Sequence, residues 1–255
     1  MSIMVRRYAR DASMQGEVSS TYRGGMHGDA DLAEPARLMG EPARAAMLVA
    51  LLDGRSLPAS ELAGVAGVTA STASTHLAQL LAGGLVTDRR LGRHRYFTLA
   101  SADVANAVEA LQLIAPRRSV SSYAQSASAE RLALARSCYD HFAGRLALDL
   151  ADALVREGAI APLVAGEPGR VLDPGTPLAE RLGIDEGIAA AGSSRRPVLR
   201  GCLDWTERRP HVAGRLGAHV LERLIAEGWV ERRRGDRSLR VTGQGAREFD
   251  ELARG

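Results

Sequence analysis

The sequence contains no lysine. All 33 of its Lys/Arg-type side chains are arginine, in a chain of 255 residues. A lysine-free chain rich in alanine and glycine reads first as the mark of GC-rich coding, so the bias by itself names no partner. Thirty acidic groups bring the formal net charge to only +3, and charge alone does not announce nucleic acid. Cysteine is nearly missing too. Two thiols make no disulfide framework, and a reducing cytoplasm is the expected compartment. Aromatic residues make up just 4%. No apolar run approaches the roughly 20 residues that span a bilayer, so no membrane partner is expected. The N-terminal MSIMVRRYARDASMQ lacks the apolar stretch of a secretory leader. Nothing resembles a nucleotide-binding loop, which argues against an enzyme.

What remains is a globular composition, 45% hydrophobic and 25% charged, long enough for one large or two modest domains. Residues 1–28 mix Arg, Ser, Gly and Met without period and are expected to be a disordered arm. Residues 29–115 form the first expected domain. An amphipathic pattern opens near Asp31 and runs to Leu51, interrupted at Pro42. A short helix follows over Ala59 to Ala66, then a turn at Gly67-Val68. A second helix runs from Ala70 to Ala82, with Thr69 as its N-cap. LVTDRRLGRHRYFTL then reads as a β-hairpin with an arginine-rich tip, and Ser101 to Ala115 returns to helical spacing. Residues 116–129, rich in Ser and Arg, are the expected linker to a C-terminal domain over 130–255.

Helix, tight turn, helix and basic hairpin is the order of a winged helix-turn-helix. The second helix of such a unit enters the major groove with its N-terminal half. Here that half offers Ser71, Thr72, Ser74, Thr75, His76 and Gln79 on its outward faces, while Ala73, Leu77, Leu80 and Leu81 turn inward. Short hydroxyls at a helix N-terminus suit phosphate oxygens. Arg89, Arg90, Arg93 and Arg95 of the hairpin suit the DNA backbone or minor groove. Each piece alone fits a solvated surface; the ordered combination predicts double-stranded DNA as the partner.

The run PARAAMLVALLDGRSLPASELAGVAGVTASTASTHLAQLLAGGLVTDRRLGRHRYFTL resembles the winged-helix domain of the ArsR/SmtB bacterial repressors, over about residues 30–115. The resemblance implies a homodimer that binds an operator palindrome and lets go when an effector binds. It places the dimer contact on the first and last helices, here Asp31 to Met39 and Ser101 to Ala115. Two metal sites familiar in that family are missing. ASELAGVAG carries no cysteine pair, and SADVANAVEALQL carries Asp103 without a histidine. Sensing is therefore expected in the C-terminal half.

That half is written twice. HFAGRLALDLADALVREGAI, from His141, returns at His211 as HVAGRLGAHVLERLIAEGWV, with eight of twenty positions identical and no gap. The correspondence continues through Val171 with Val241 and Leu182 with Leu252. We read two tandem helix–hairpin–helix, winged-helix-like units, at about 138–185 and 202–254. The fold class is thus mainly α with short β-hairpins. Leu146, Leu150 and Leu154, with Leu216, Val220 and Leu224, make apolar stripes that suit a shared core rather than a DNA groove.

A matching trio precedes each long helix: Cys138, Asp140 and His141, then Cys202, Asp204 and His211, the second split by an inserted WTERRP. Three functional readings stay open for these residues, and no cofactor is assigned. One is a metal or haem site built from Cys138, His141, Cys202 and His211. Another is a thiol redox switch between the cysteines. The third is an organic-effector pocket walled by Trp205, Tyr139 and Phe142. The plain alternative is buried cysteines acting as small hydrophobes, with both aspartates capping helices. The arginines of ERRP and ERRRGDRSLR interleave with acids and are expected to form a solvated ion-pair surface. The sequence thus points to a cytoplasmic, sequence-specific DNA-binding regulator, a homodimeric repressor with a C-terminal effector domain. An architectural DNA-binding protein without sequence choice is the alternative, and a Cys/His enzyme a more distant one.

Overall fold

Helix α1 (Ala33–Met39) and helix α2 (Pro42–Ala50) replace what the sequence presents as one interrupted helix. The reason lies in the start of α2. Glu41 caps it by accepting the Ala43 and Arg44 amides at 3.2 and 2.8 Å, and Pro42 sits in the first turn, where its missing N–H costs nothing. A computed structural model describes residues 30–116, 122–189, 196–233 and 235–254. The expected arm over 1–28 and part of the expected linker lie outside these residues.

After α2 come a short 3₁₀ turn, strand β1 (Leu57–Pro58), helix α3 (Ala59–Ala66) and helix α4 (Ala70–Ala82). Gly67 ends α3 in the left-handed region, and Thr69 Oγ1 accepts the Thr72 amide at 3.2 Å to open α4. Strands β2 (Val86–Leu91) and β3 (His94–Leu99) form the wing, with Leu91 opposite His94 and Arg90 opposite Arg95. β1 joins β3 to complete a three-stranded sheet ordered β1-β3-β2. Helix α5 (Ala102–Ile114) closes the unit. Met47, Leu48, Leu52, Leu62, Leu77, Leu80 and Phe97 fill its core.

Helix α6 (Tyr123–Leu134) begins inside the segment expected to be linker, because Ser122 Oγ accepts the Gln125 amide at 3.2 Å and caps it. The repeated unit also starts earlier than helix–hairpin–helix. Its first copy opens with a hairpin of β4 (Arg136–Cys138) and β5 (His141–Ala143), followed by helix α7 (Arg145–Arg156), helix α8 (Pro177–Arg181) and helix α9 (Ile184–Ala189). The second copy has β6 (Arg200–Leu203), β7 (Pro210–Ala213), helix α10 (Gly214–Ala226), β8 (Val230–Arg232), β9 (Leu239–Val241) and helix α11 (Gly243–Arg254). The β8–β9 hairpin shrinks in the first copy to one bridge, Ile160 with Val171, where the second pairs Val230 with Val241. The loop's backbone is satisfied elsewhere: Gly166 donates to Gly201 O at 2.8 Å and Gly169 to Leu199 O at 2.8 Å.

The copies exchange partners. α10 packs on β5 and α7 on β7, as a local twofold requires. Leu150, Leu154, Leu216, Val220 and Leu224 meet in one core with Trp229 and Phe249, so both apolar stripes are buried as expected. Matching glycines make the close approach: Gly144 (φ +97°) and Gly214 (φ +83°) each link hairpin to helix, and a Cβ on either would lie within 2.8 Å of a carbonyl oxygen. From Glu34 onward the chain is one compact unit built on the two cores.

Candidate functional site

On α4, Ser71, Thr72, Ser74, Thr75 and Gln79 are exposed and His76 is half-buried, while Ala73, Leu77 and Leu80 face the core. Ser74 and Thr75 donate back to the Ala70 and Ser71 carbonyls, at 2.9 and 3.3 Å. Gln79 and His76 are tied to α2. Gln79 Oε1 accepts from Arg44 Nη1 at 2.6 Å, and His76 Nδ1 lies 3.5 Å from Glu41 Oε2. Arg44 is buried and also donates to the Leu38 and Arg37 carbonyls, at 2.8 and 2.9 Å, so one guanidinium locks α1, α2 and α4 together. On the wing, Arg89, Arg90, Arg93 and Arg95 are all exposed. Arg95 Nε holds Asp88 at 2.7 Å and its guanidinium lies over Phe97, which leaves it partly committed to the sheet.

The second arginine concentration pairs with acids, Arg209 with Asp152 at 2.7 Å and Arg240 with Glu231. Arg237 departs from that pattern. It is buried and reaches Gln112 Oε1 at 3.2 Å.

The duplicated trios converge. Cys138 and His141 are Cα partners across the two-residue turn of β4–β5, and Cys202 and His211 are partners across β6–β7. Opposed residues of an antiparallel pair project to the same face, so each hairpin presents one thiol and one imidazole together. The inserted WTERRP lengthens the second turn without changing the register. Cys138 Sγ and Cys202 Sγ stand 3.8 Å apart, and His141 Nε2 and His211 Nε2 3.1 Å apart. The four donor atoms all lie within 4.8 Å of one another. Cys138, His141 and His211 are buried and Cys202 half-buried.

Each histidine has its aspartate behind it. Asp140 Oδ1 is 3.3 Å from His141 Nδ1, and Asp204 Oδ2 is 3.9 Å from His211 Nδ1. Each aspartate is held by an arginine belonging to the other copy or its approach, Asp140 by Arg196 and Asp204 by Arg136. Neither aspartate is the side-chain cap of the helix that follows it. The α7 and α10 N-caps are Gly144 and Ala213, which have no side-chain cap bond. Asp204 instead gathers the amides of Gly144, Thr206 and Glu207 at 2.9, 2.8 and 3.2 Å. Burial opposes the Asp140 charge, yet Arg196 and His141 outweigh it and hold the carboxyl at about 2. Asp204 also lies well below the ordinary carboxylate range, with burial outweighed by Arg136 and Thr206. Burial, then Cys202, pushes the Cys138 thiol well above its usual value. Burial and the His141 ring drive His211 well below its own, which makes it a neutral acceptor.

The organic-pocket wall does not form as expected. Phe142 alternates to the opposite face of β5 and stacks on Phe249 in the core, centroids 5.7 Å apart. Trp205 lies outside the cluster in the inserted loop, with the guanidiniums of Arg136 and Arg237 over its ring at 5.0 and 5.9 Å. Tyr139 does line a cavity of about 480 Å³ beside the cluster, together with Glu109, His141, Arg196, Arg200 and Cys202.

Glu109 is the functional candidate that the sequence reading missed. It sits on α5 at the end of the N-terminal winged unit, buried, and its carboxylate accepts from the Cys138 thiol and, at 3.4 Å, from the Cys202 thiol. The signal was present: Ala105, Val108, Glu109 and Gln112 form one helical face, so an acid interrupts an otherwise inward stripe.

A helix-turn-helix domain family matches residues 39–89. Over 220 residues the chain is 38% identical to the uncharacterised HTH-type transcriptional regulator YdfF of Bacillus subtilis, a match covering 86% of this chain and 96% of the relative. Over 84 residues it is 39% identical to the HTH-type transcriptional regulator CmtR of Mycobacterium bovis, covering 32% of this chain and 70% of that protein. The solved structure of the cadmium metal-sensor CmtR from Mycobacterium tuberculosis is 33% identical, covers 36% of this chain and 99% of its own, and superposes with a TM-score of 0.29. No helix among the described residues is long and apolar enough to cross a membrane. With residues 39–89 matched by the helix-turn-helix family and 86% of its length matched to YdfF, the chain belongs to the HTH-type transcriptional regulators.

Proposed function

We propose that this chain is a cytoplasmic, sequence-specific repressor that binds its operator as a homodimer and is released when an effector occupies the C-terminal half. The observation that carries the reading is Glu109. One buried carboxylate on the last helix of the reading head contacts both thiols of the duplicated domain. An event at the cluster therefore bears directly on α5. The exposed hydroxyls of α4 and the arginines of the wing supply the DNA-facing chemistry, and α4 is held to α2 by Arg44.

The homodimer draws support from α5. Leu111 and Ile114 are exposed there, Ile114 at 81%, on the helix that the family resemblance assigns to the dimer contact. Regulation follows as a population shift. An effector that prefers the arrangement in which two reading heads no longer match two half-sites lowers operator affinity by its differential binding.

The test is fluorescence anisotropy with the chain's own upstream DNA, competed by random duplex, alongside sedimentation to fix the oligomer. Discrimination of about 10³-fold or more over random duplex is expected of a specific regulator. Equal competition by random duplex would replace this reading with an architectural role. A monomer bound to a single half-site would remove the dimer.

A further inference from the structure

We propose that Cys138, His141, Cys202 and His211 form a tetrahedral site for one soft divalent cation of the zinc class, and that this cation is the effector. The second half of the proposal rests on the regulator reading above; the first stands on geometry alone.

A tetrahedral zinc with Zn–S near 2.3 Å and Zn–N near 2.0–2.1 Å separates its two sulfurs by about 3.8 Å and its two nitrogens by about 3.3 Å. The protein holds its sulfurs 3.8 Å apart and its Nε2 atoms 3.1 Å apart. Two edges of the coordination tetrahedron are thus already built, on four residues anchored by strand pairing rather than by a loose loop. Two thiolates with two imidazoles favour zinc and its softer relatives over magnesium or calcium, which take oxygen ligands.

The surroundings fit a cation as well. Both imidazoles turn Nε2 inward; Asp140 stands 3.3 Å behind His141 Nδ1, the carboxylate–histidine–metal arrangement found behind zinc ligands, while Asp204 lies 3.9 Å from His211 Nδ1, outside hydrogen-bond distance. Two Nε2 atoms at 3.1 Å face each other, and His211 Nδ1 is buried with no hydrogen-bond partner among the described residues. The 3.1 Å contact between the two Nε2 atoms brings both imidazole lone-pair positions to one point, the place a shared metal ion would take. The cavity lined by His141, Cys202 and Glu109 gives a route in.

The exchange balances. One M²⁺, the two Cys–SH groups, protonated His141 and neutral His211 give a neutral M(Cys–S)₂(His)₂ centre and release three protons to the buffer, two from the thiols and one from the His141 imidazolium. Glu109 then loses both S–H donors and faces two thiolates. Its contact with the cluster must be remade, and because Glu109 belongs to α5, the change is delivered to the reading head.

The experiment uses the full chain, reduced and stripped of metal, titrated with Co²⁺ and then Zn²⁺. One Co²⁺ per chain is expected, with the visible bands of tetrahedral coordination and the near-ultraviolet charge transfer of a thiolate ligand. Cys138→Ser and Cys202→Ser should each lose charge-transfer intensity. Asp140→Asn, which leaves all four ligands in place, should weaken binding about 10- to 100-fold. Bound Zn²⁺ should also shield both thiols from alkylation, read by mass spectrometry. No stoichiometric Co²⁺ binding, or an unchanged spectrum in the double serine variant, overturns the site. So does ready conversion of the reduced protein to a Cys138–Cys202 disulfide without Co²⁺ uptake, the mark of a redox switch.

Operator binding with and without Zn²⁺ separates the two halves. Affinity should fall about 5- to 150-fold with the cation. A tetrahedral Co²⁺ site with equal operator affinity in both forms overturns the effector role alone. Failure to bind any operator overturns the regulator reading and the effector role together, while the Co²⁺ spectrum still decides the site.

Discussion

Arg136 and Asp204 lie 68 residues apart in sequence and meet in an ion pair of 2.8 Å with neither side chain exposed. The pair binds the start of one copy to the inserted loop of the other. Desolvation makes such a pair a poor source of net stability, but removing one partner strands the other. Asp204→Asn is expected to cost about 3–5 kcal/mol in urea unfolding. Asp152→Asn, which breaks an exposed pair with Arg209, should cost no more than about 1 kcal/mol. Similar losses in the two variants would contradict this ranking.

Gly144 and Gly214 are 70 residues apart and share a backbone conformation reserved almost wholly for glycine. Gly144→Ala and Gly214→Ala should each cost at least about 1–3 kcal/mol from the backbone alone, with the carbonyl contacts adding to it. Thermal melts of both check the prediction. A tolerated alanine at either position would break the equivalence of the two hairpin–helix joints.

The wing arginines make a prediction about salt. Arg89→Ala and Arg93→Ala should weaken operator and random duplex alike, each reducing the slope of log affinity against log salt by about 1. Thr72→Ala or Thr75→Ala should leave that slope nearly fixed. If a wing variant changed discrimination but not the slope, the wing would be reading bases rather than phosphates.

Arg44 ties α4 to α1 from behind, through one hydrogen bond to Gln79 of α4 and two to the Leu38 and Arg37 carbonyls of α1. Arg44→Ala is expected to lose about 1.5–3 kcal/mol of stability, the scale of a hydrogen bond to a charged group. It should also weaken operator binding, although the side chain points away from any groove. Wild-type operator affinity in a destabilised Arg44→Ala protein would show that α4 keeps its place without the guanidinium.

Glu109→Gln separates cation binding from its transmission. The four proposed ligands remain, so the tetrahedral Co²⁺ spectrum should persist, while the operator-affinity ratio with and without Zn²⁺ moves toward 1. An undiminished ratio would assign the coupling to another contact between α5 and the cluster.

The reading head was legible residue by residue. Thr69 announces the start of α4 through its side chain, Gly67 the end of α3 through its backbone, and the Arg-Leu-Gly-Arg tip the turn of the wing. Each of these signals is local. The cluster was half legible: the repeat exposed both Cys–Asp–His trios, but only strand register shows that a two-residue and an eight-residue spacing from cysteine to histidine put both side chains on equivalent faces. Glu109 was invisible as a cluster member, because its partners are 29 and 93 residues away and nothing near it in sequence refers to them. Trp205 misled for a related reason. An aromatic beside a candidate site reads as a pocket wall, and here its faces are taken by two arginines from elsewhere in the chain.

The inserted WTERRP shows what it means to place both halves of a site on one polypeptide. In a symmetric dimer, a mutation near the axis changes both sides at once, and neither can be adjusted against the other. Here the two hairpins are encoded separately. The second carries six more residues and a tryptophan between arginines while its cysteine and histidine stay in register with each other. A duplicated chain can therefore tune one wall of its site, for size, charge or speed of access, and leave the opposite wall untouched.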